Sequence, residues 1–142
     1  MNLKIDMKWK IEKKEVEDKA KQVLFDSMMK MHEIAVRLCP VAFGGLRNSI
    51  KVFPSAPGFK SYTLADGVTY GKDVEYGSKP HYINPEVLKQ WASKVLGDEG
   101  AAYPVAKKIA KQGTEASPFF RPALDQVRSI WVKRFWAMPL AK

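Results

Sequence analysis

The chain has 142 residues, 46% hydrophobic and 27% charged, with 24 lysines and arginines against 15 acids and a formal net charge of +9. These values fit one globular domain with its own core, and they exclude a disordered or collagen-like chain. A single cysteine, Cys39, excludes an internal disulfide and a cysteine zinc site; no run is long and apolar enough for a membrane span, and the lysine-punctuated start, Met1 to Ile11, is not a secretory signal.

The expectation is therefore a soluble protein, intracellular when made. Residues 1–14 alternate loosely through Leu3, Ile5, Met7, Trp9 and Ile11, as a strand or an arm docked on a neighbour would. From Glu15 to Leu38 the apolar residues Val16, Ala20, Val23, Leu24, Met28, Met31, Ala35 and Leu38 recur at steps of three and four, which predicts a long amphipathic helix. Pro40 stops it. Gly44-Gly45 then permits a tight turn into a short helical piece carrying Leu46 and Ile50.

Ser49–Phe53 and Phe59–Ala65 are rich in β-branched and aromatic residues, with Pro54, Pro57 and Gly58 between them. Asp66-Gly67 is a hairpin signal and predicts a return strand from Val68 to Tyr70. Lys72–Tyr76 reads as one helical turn ended by a left-handed Gly77, and His81–Ile83 as a last short strand.

Helices follow. Asn84 and Pro85 form a cap-plus-proline start for a helix with Val87, Leu88, Trp91, Ala92 and Val95 on one face, closed by Gly97. Residues 101–112 predict another, with Pro104 in its first turn and Gly113 as its stop. Ser117-Pro118 opens the last helix by the same logic, presenting Leu124, Val127, Trp131, Phe135 and Met138 as an apolar face. The fold class is α+β in a single domain: a long N-terminal helix packed on a small antiparallel sheet, with additional C-terminal helices.

Catalytic signatures are sparse. His32 and His81 lie in different elements, and no HExxH, GxSxG, Walker A or GxGxxG pattern occurs. Cys39 has no base in evident reach. Asp73, Glu75 and His81 make at most the outline of a small metal-dependent nuclease. We expect no enzyme, no cofactor and no metal. The charge is uneven: residues 101–142 hold eight basic residues against Glu115 and Asp125 alone. Such a segment suits phosphate or an acidic protein, or simply forms a solvated helix face.

Three short motifs carry more information. They are Gly45-Leu46-Arg47-x-Ser49-Ile50, Tyr70-x-x-x-x-Glu75-x-Gly77, and Pro118-Phe119-Phe120-Arg121-Pro122-Ala123. In this order, over roughly residues 15 to 135, the chain resembles the head–tail connector family of long-tailed double-stranded DNA phages, whose members are called neck, minor head–tail or tail-completion proteins. The resemblance implies a non-enzymatic virion protein of the neck, a head–tail connector or tail terminator assembled in the host cytoplasm. It implies a ring of six or twelve identical subunits contacting neighbouring adaptor or stopper proteins and the tail tube.

The resemblance also implies structural or interface roles for Gly45, Leu46, Arg47, Tyr70, Glu75, Gly77, Phe119 and Arg121. Glu75 is expected in a buried or interfacial turn, its charge met by a bidentate contact from Arg47 or Arg121, within one subunit or across two. Trp136, about 100° from the apolar face of its helix, is a candidate anchor for a neighbouring subunit. In a ring, Lys107, Lys108, Lys111, Arg128, Lys133 and Arg134 could face a channel and hold genomic duplex DNA by its phosphates. The residues 1–14 and the hairpin 53–67 are the pieces expected to reach neighbours. Segment 84–112 departs from the family pattern as inserted helical material. The alternative from a different class is a basic non-enzymatic DNA-binding module.

Overall fold

The first helix, α1, runs from Lys13 to Leu38, so its opening residues come from the stretch expected as a strand or arm. The computed structural model describes residues 13–42, 44–54 and 62–137; residues 1–12 of that expected arm lie outside the described residues. Gly44, at φ 78°, turns the chain into α2 (Gly45–Ser49). That positive φ is one that side chains other than glycine rarely adopt.

Strands β1 (Lys51–Pro54) and β2 (Tyr62–Ala65) pair antiparallel with each other, Lys51 opposite Ala65 and Pro54 opposite Tyr62. The rest of the expected 53–67 hairpin, residues 55–61, lies outside the described residues. Asp66-Gly67 is not the hairpin turn, and Val68–Tyr70 is not a strand. β2 is itself the return strand. The Asp66 carboxylate instead accepts the Val68 N–H at 3.4 Å and packs against Gly71, where a side chain would collide with it. This local bond competes with strand pairing and starts α3 (Gly71–Tyr76).

Gly77 has the expected positive φ, 76°, but its ψ of 165° sends the chain onward extended rather than left-handed helical. Ser78 then bridges Thr114, each backbone N–H donating to the other's carbonyl at 3.1 and 3.2 Å. With that pairing made at Ser78, His81–Ile83 forms no strand, and His81 N–H donates instead to Ile109 O at 3.4 Å.

Helix α4 (Pro85–Leu96) begins where its cap predicts: Asn84 Oδ1 accepts the Glu86 N–H at 3.0 Å. Gly97, left-handed at φ 72°, closes it. A 3-10 turn at Glu99–Ala101, capped by Asp98, leads into α5 (Ala102–Gln112). Helices α4 and α5 pack on each other, and buried Ala92, Ala102 and Ala106 are small enough to allow close approach.

The last helix, α6 (Phe120–Trp136), starts later than Ser117-Pro118 suggests, and Ser117 does not cap it. The Ser117 N–H donates to Val74 O at 2.8 Å, tying this segment to α3. Helix α1 packs chiefly on α6 and touches both strands less extensively, so the long helix has a helix rather than the sheet as its main partner. The fold is mostly helical around a two-stranded sheet, α+β in the loose sense.

The core joins Ile34, Ala35 and Cys39 of the α1 end, Leu46 and Ile50, and Phe119, Ala123 and Val127. On α6 this corrects the expected face. Val127 is buried as expected, but Phe119 and Ala123 join it in the core, whereas Leu124 is 51% exposed and Trp131 37%. Leu124 stands one residue, roughly 100°, around the helix from Ala123. The tether at the start of α6 sets which side turns inward, and Ala123 lets α1 approach. Met138 and the side chain of Phe135 lie outside the described residues.

Candidate functional site

Glu75 lies in the last turn of α3, 3% exposed, with its carboxylate against the first turn of α6. Oε2 accepts the backbone N–H groups of Phe119 and Phe120 at 2.7 and 2.9 Å. Oε1 accepts the backbone N–H and the Nε–H of Arg121, both at 3.0 Å. The first N–H groups of a helix have no partner within it, and its dipole favours an anion there. Glu75 therefore caps α6 from 44 residues upstream.

Burial alone would raise the Glu75 pKa. The backbone N–H groups of Phe119, Phe120 and Arg121, with the guanidinium, outweigh it and hold the carboxyl below its ordinary value of 4.5.

The arginine that meets Glu75 is Arg121 of the same chain. Its fork is split rather than bidentate on the carboxylate: Nη2 donates to the Glu75 carbonyl at 3.0 Å. The guanidinium also lies over the Tyr76 ring, 4.8 Å from its centroid. Arg47 is engaged elsewhere. Its Nη2 donates to Cys39 O at 3.3 Å, closing the C-terminal end of α1, and its buried Nε finds no hydrogen-bond partner among the described residues.

Tyr70 links the first two motifs, since a Cβ at Gly45 would come within 3.2 Å of the Tyr70 hydroxyl. At Gly77 a Cβ would stand 2.6 Å from Thr114 O. Leu46, Ile50, Phe119 and Ala123 share the core beneath. Three motifs far apart in sequence thus meet around the α1–α6 packing and fit its helix ends together.

The remaining candidates are dispersed. His81 is exposed, its Nδ1 2.9 Å from Lys79 O and 3.4 Å from Ser78 Oγ, and it does not meet Glu75. His32 Nε2 donates to Ile50 O at 3.0 Å. Both Glu75 oxygens are taken by donors, so the arrangement offers no open carboxylate pair with Asp73. Among the described residues no three His, Cys, Asp or Glu side chains approach closely enough to hold a metal ion, and no helix is long and apolar enough to cross a membrane.

Cys39 is 2% exposed, and burial pushes its thiol pKa up despite the nearby Arg47. Lys107, Lys108 and Lys111 are exposed on α5, with Lys108 3.4 Å from the Glu115 carboxylate. Arg128, Lys133 and Arg134 are exposed on α6, and the side chain of Trp136 lies outside the described residues.

Sequence reading missed two features. The capping role of Glu75 pairs residues 44 apart, and no local pattern announces such a partner. The second is a cleft between the body and the α4–α5 pair. One part, about 590 Å³, runs beside Val41, Leu46 and Val95; the other, about 400 Å³, beside Leu88 and Ile109; both share Tyr70, Val74 and Trp91. Comparison with protein-family models, curated proteins and solved structures returns no match.

Proposed function

We propose that the chain is a non-enzymatic structural subunit of a phage neck, a head–tail connector or tail terminator that acts as a ring of identical copies within the virion. The observation that carries this reading is the convergence of the three motifs. Each serves as a fitting: Arg47 closes α1, Tyr70 rests on Gly45, and Glu75 caps the helix opened by Pro118-Phe119-Phe120-Arg121. Residues used in this way fix the relative placement of surfaces and leave no activated nucleophile or base.

Closed rings of one chain form through heterologous contacts between copies. The exposed apolar residues Phe53, Leu124 and Val132 supply material for such contacts, and adaptor or stopper proteins and the tail tube are the other partners. The exposed lysines of α5 suit duplex DNA passing through the ring, held by phosphates without sequence reading.

The test is light scattering of the purified protein across a concentration series, with negative-stain imaging. A closed ring of six or twelve copies is the expected result. A monomer that binds free duplex stoichiometrically, with affinity falling steeply as salt rises, overturns it in favour of a basic DNA-binding module.

A further inference from the structure

Two surfaces of the described chain are complementary in chemistry. The first is the cleft between the body and the α4–α5 pair. Its floor is apolar, with Val74, Leu88, Trp91 and Ile109, and Val41 and Val95 stand about half exposed at its edge. Its charged lining residues are Asp73 and Glu115, with no lysine or arginine among them, in a chain of net charge +9. Asp73 is exposed on α3, and the Glu115 side chain, 91% exposed with Lys108 3.4 Å from its carboxylate, reaches solvent at the rim, where a second cation can approach it.

The second surface is the outer face of α6. Leu124, Arg128 and Val132 follow at steps of four and stand on one side of the helix. Leu124 is 51% and Val132 44% exposed, and Arg128 is exposed between them. Residues 124–136 contain Arg128, Lys133 and Arg134 against the single acid Asp125. This stripe lies about 100° around the helix from Ala123 and Val127, which face α1.

We propose that the α6 stripe of one copy docks in the acid-rimmed cleft of the next. The cleft takes an apolar segment flanked by cations, and this chain carries such a segment on a face of α6 that the described residues leave exposed. Donor and acceptor surfaces are different patches, so the contact is head-to-tail and generates a ring when the rotation closes. The proposal rests on the ring reading above and names the interface that makes the ring.

Charge reversal tests it with every altered residue exposed. Asp73→Lys with Glu115→Lys reverses the cleft, and Arg128→Glu with Lys133→Glu reverses the stripe. Each pair alone should weaken self-association by about tenfold or more, read by light scattering. A mixture of the two reversed proteins, which presents a basic cleft to an acidic stripe, should regain assembly, and so should one chain carrying all four changes. Unchanged circular dichroism separates loss of contact from loss of fold. Rings that form in the wild type but ignore both reversals overturn this interface and leave the neck reading standing. A wild-type chain monomeric at all concentrations overturns this interface as a self-assembling contact, and duplex binding by that monomer then decides the neck reading.

Discussion

Glu75 Oε1 lies 3.0 Å from the backbone nitrogen of Arg121 and 3.0 Å from its Nε, so a single arginine closes on the carboxylate from main chain and side chain together. The other oxygen is held by Phe119 and Phe120. A buried anion satisfied in this way is costly to remove, because its donors are then left without partners.

Glu75→Ala should cost about 3–5 kcal/mol of folding stability, measured by urea unfolding, since it strips a buried charge site of its anion. Glu75→Gln keeps one acceptor oxygen and should cost less than the alanine change, while still weakening the junction of α3 and α6.

Arg121→Ala should cost far less, about 1 kcal/mol. Its side chain is 52% exposed, so its ion pair is screened by water, and the three backbone donors to Glu75 remain. Equal costs for Arg121→Ala and Glu75→Ala in the same unfolding assay would show that the guanidinium, rather than the helix end, is the main partner.

Gly113 and Gly97 both have positive φ, 75° and 72°, but differ in their surroundings. A Cβ at Gly113 would collide with the Ser78 carbonyl, and one at Gly97 would meet nothing within 4 Å. Gly97→Ala should therefore cost about 1 kcal/mol of backbone strain. Gly113→Ala should cost distinctly more and break the Ser78–Thr114 bridge, which thermal melts and amide exchange at those two residues would register.

Cys39 should resist thiol reagents in the folded protein, because its sulfur is buried and its pKa is raised. Its labelling rate in increasing urea should follow global unfolding. Fast labelling without urea would contradict the burial of Cys39 in the core that holds Ile34, Leu46 and Phe119.

Where the signal is local, the sequence is enough to place the element. The three-four spacing of α1 and the Asn84-Pro85 start of α4 depend on neighbours a few residues away, and both appear in the structure where that spacing puts them. The Glu75–arginine contact was also legible, through the resemblance, although only the structure distinguishes Arg121 from Arg47.

The misreadings share one cause, competition from distant partners. Ser117-Pro118 has the form of a local cap, but Val74 takes the Ser117 N–H and Glu75 takes the helix end. Asp66-Gly67 has the form of a hairpin, but β1 already pairs with β2. Of the apolar series expected on α6, Val127 is buried, yet the capped end of the helix turns Phe119 and Ala123 inward beside it and leaves Leu124 outside.

The most direct measurement is the titration of the Glu75 carboxyl, followed by the carboxyl carbon shift in NMR with Glu75→Gln as the assignment control. A folded-state pKa below the unfolded one means that the cap contributes fully above the ordinary value of 4.5 and is lost as pH falls through the lower folded value. The account predicts a Glu75 midpoint below 4.5, with amide protection at Phe119, Phe120 and Arg121 lost in the same step and a stability gap to Glu75→Gln that narrows only there. A midpoint at or above 4.5, or protection of those three amides that survives protonation of Glu75, would contradict it.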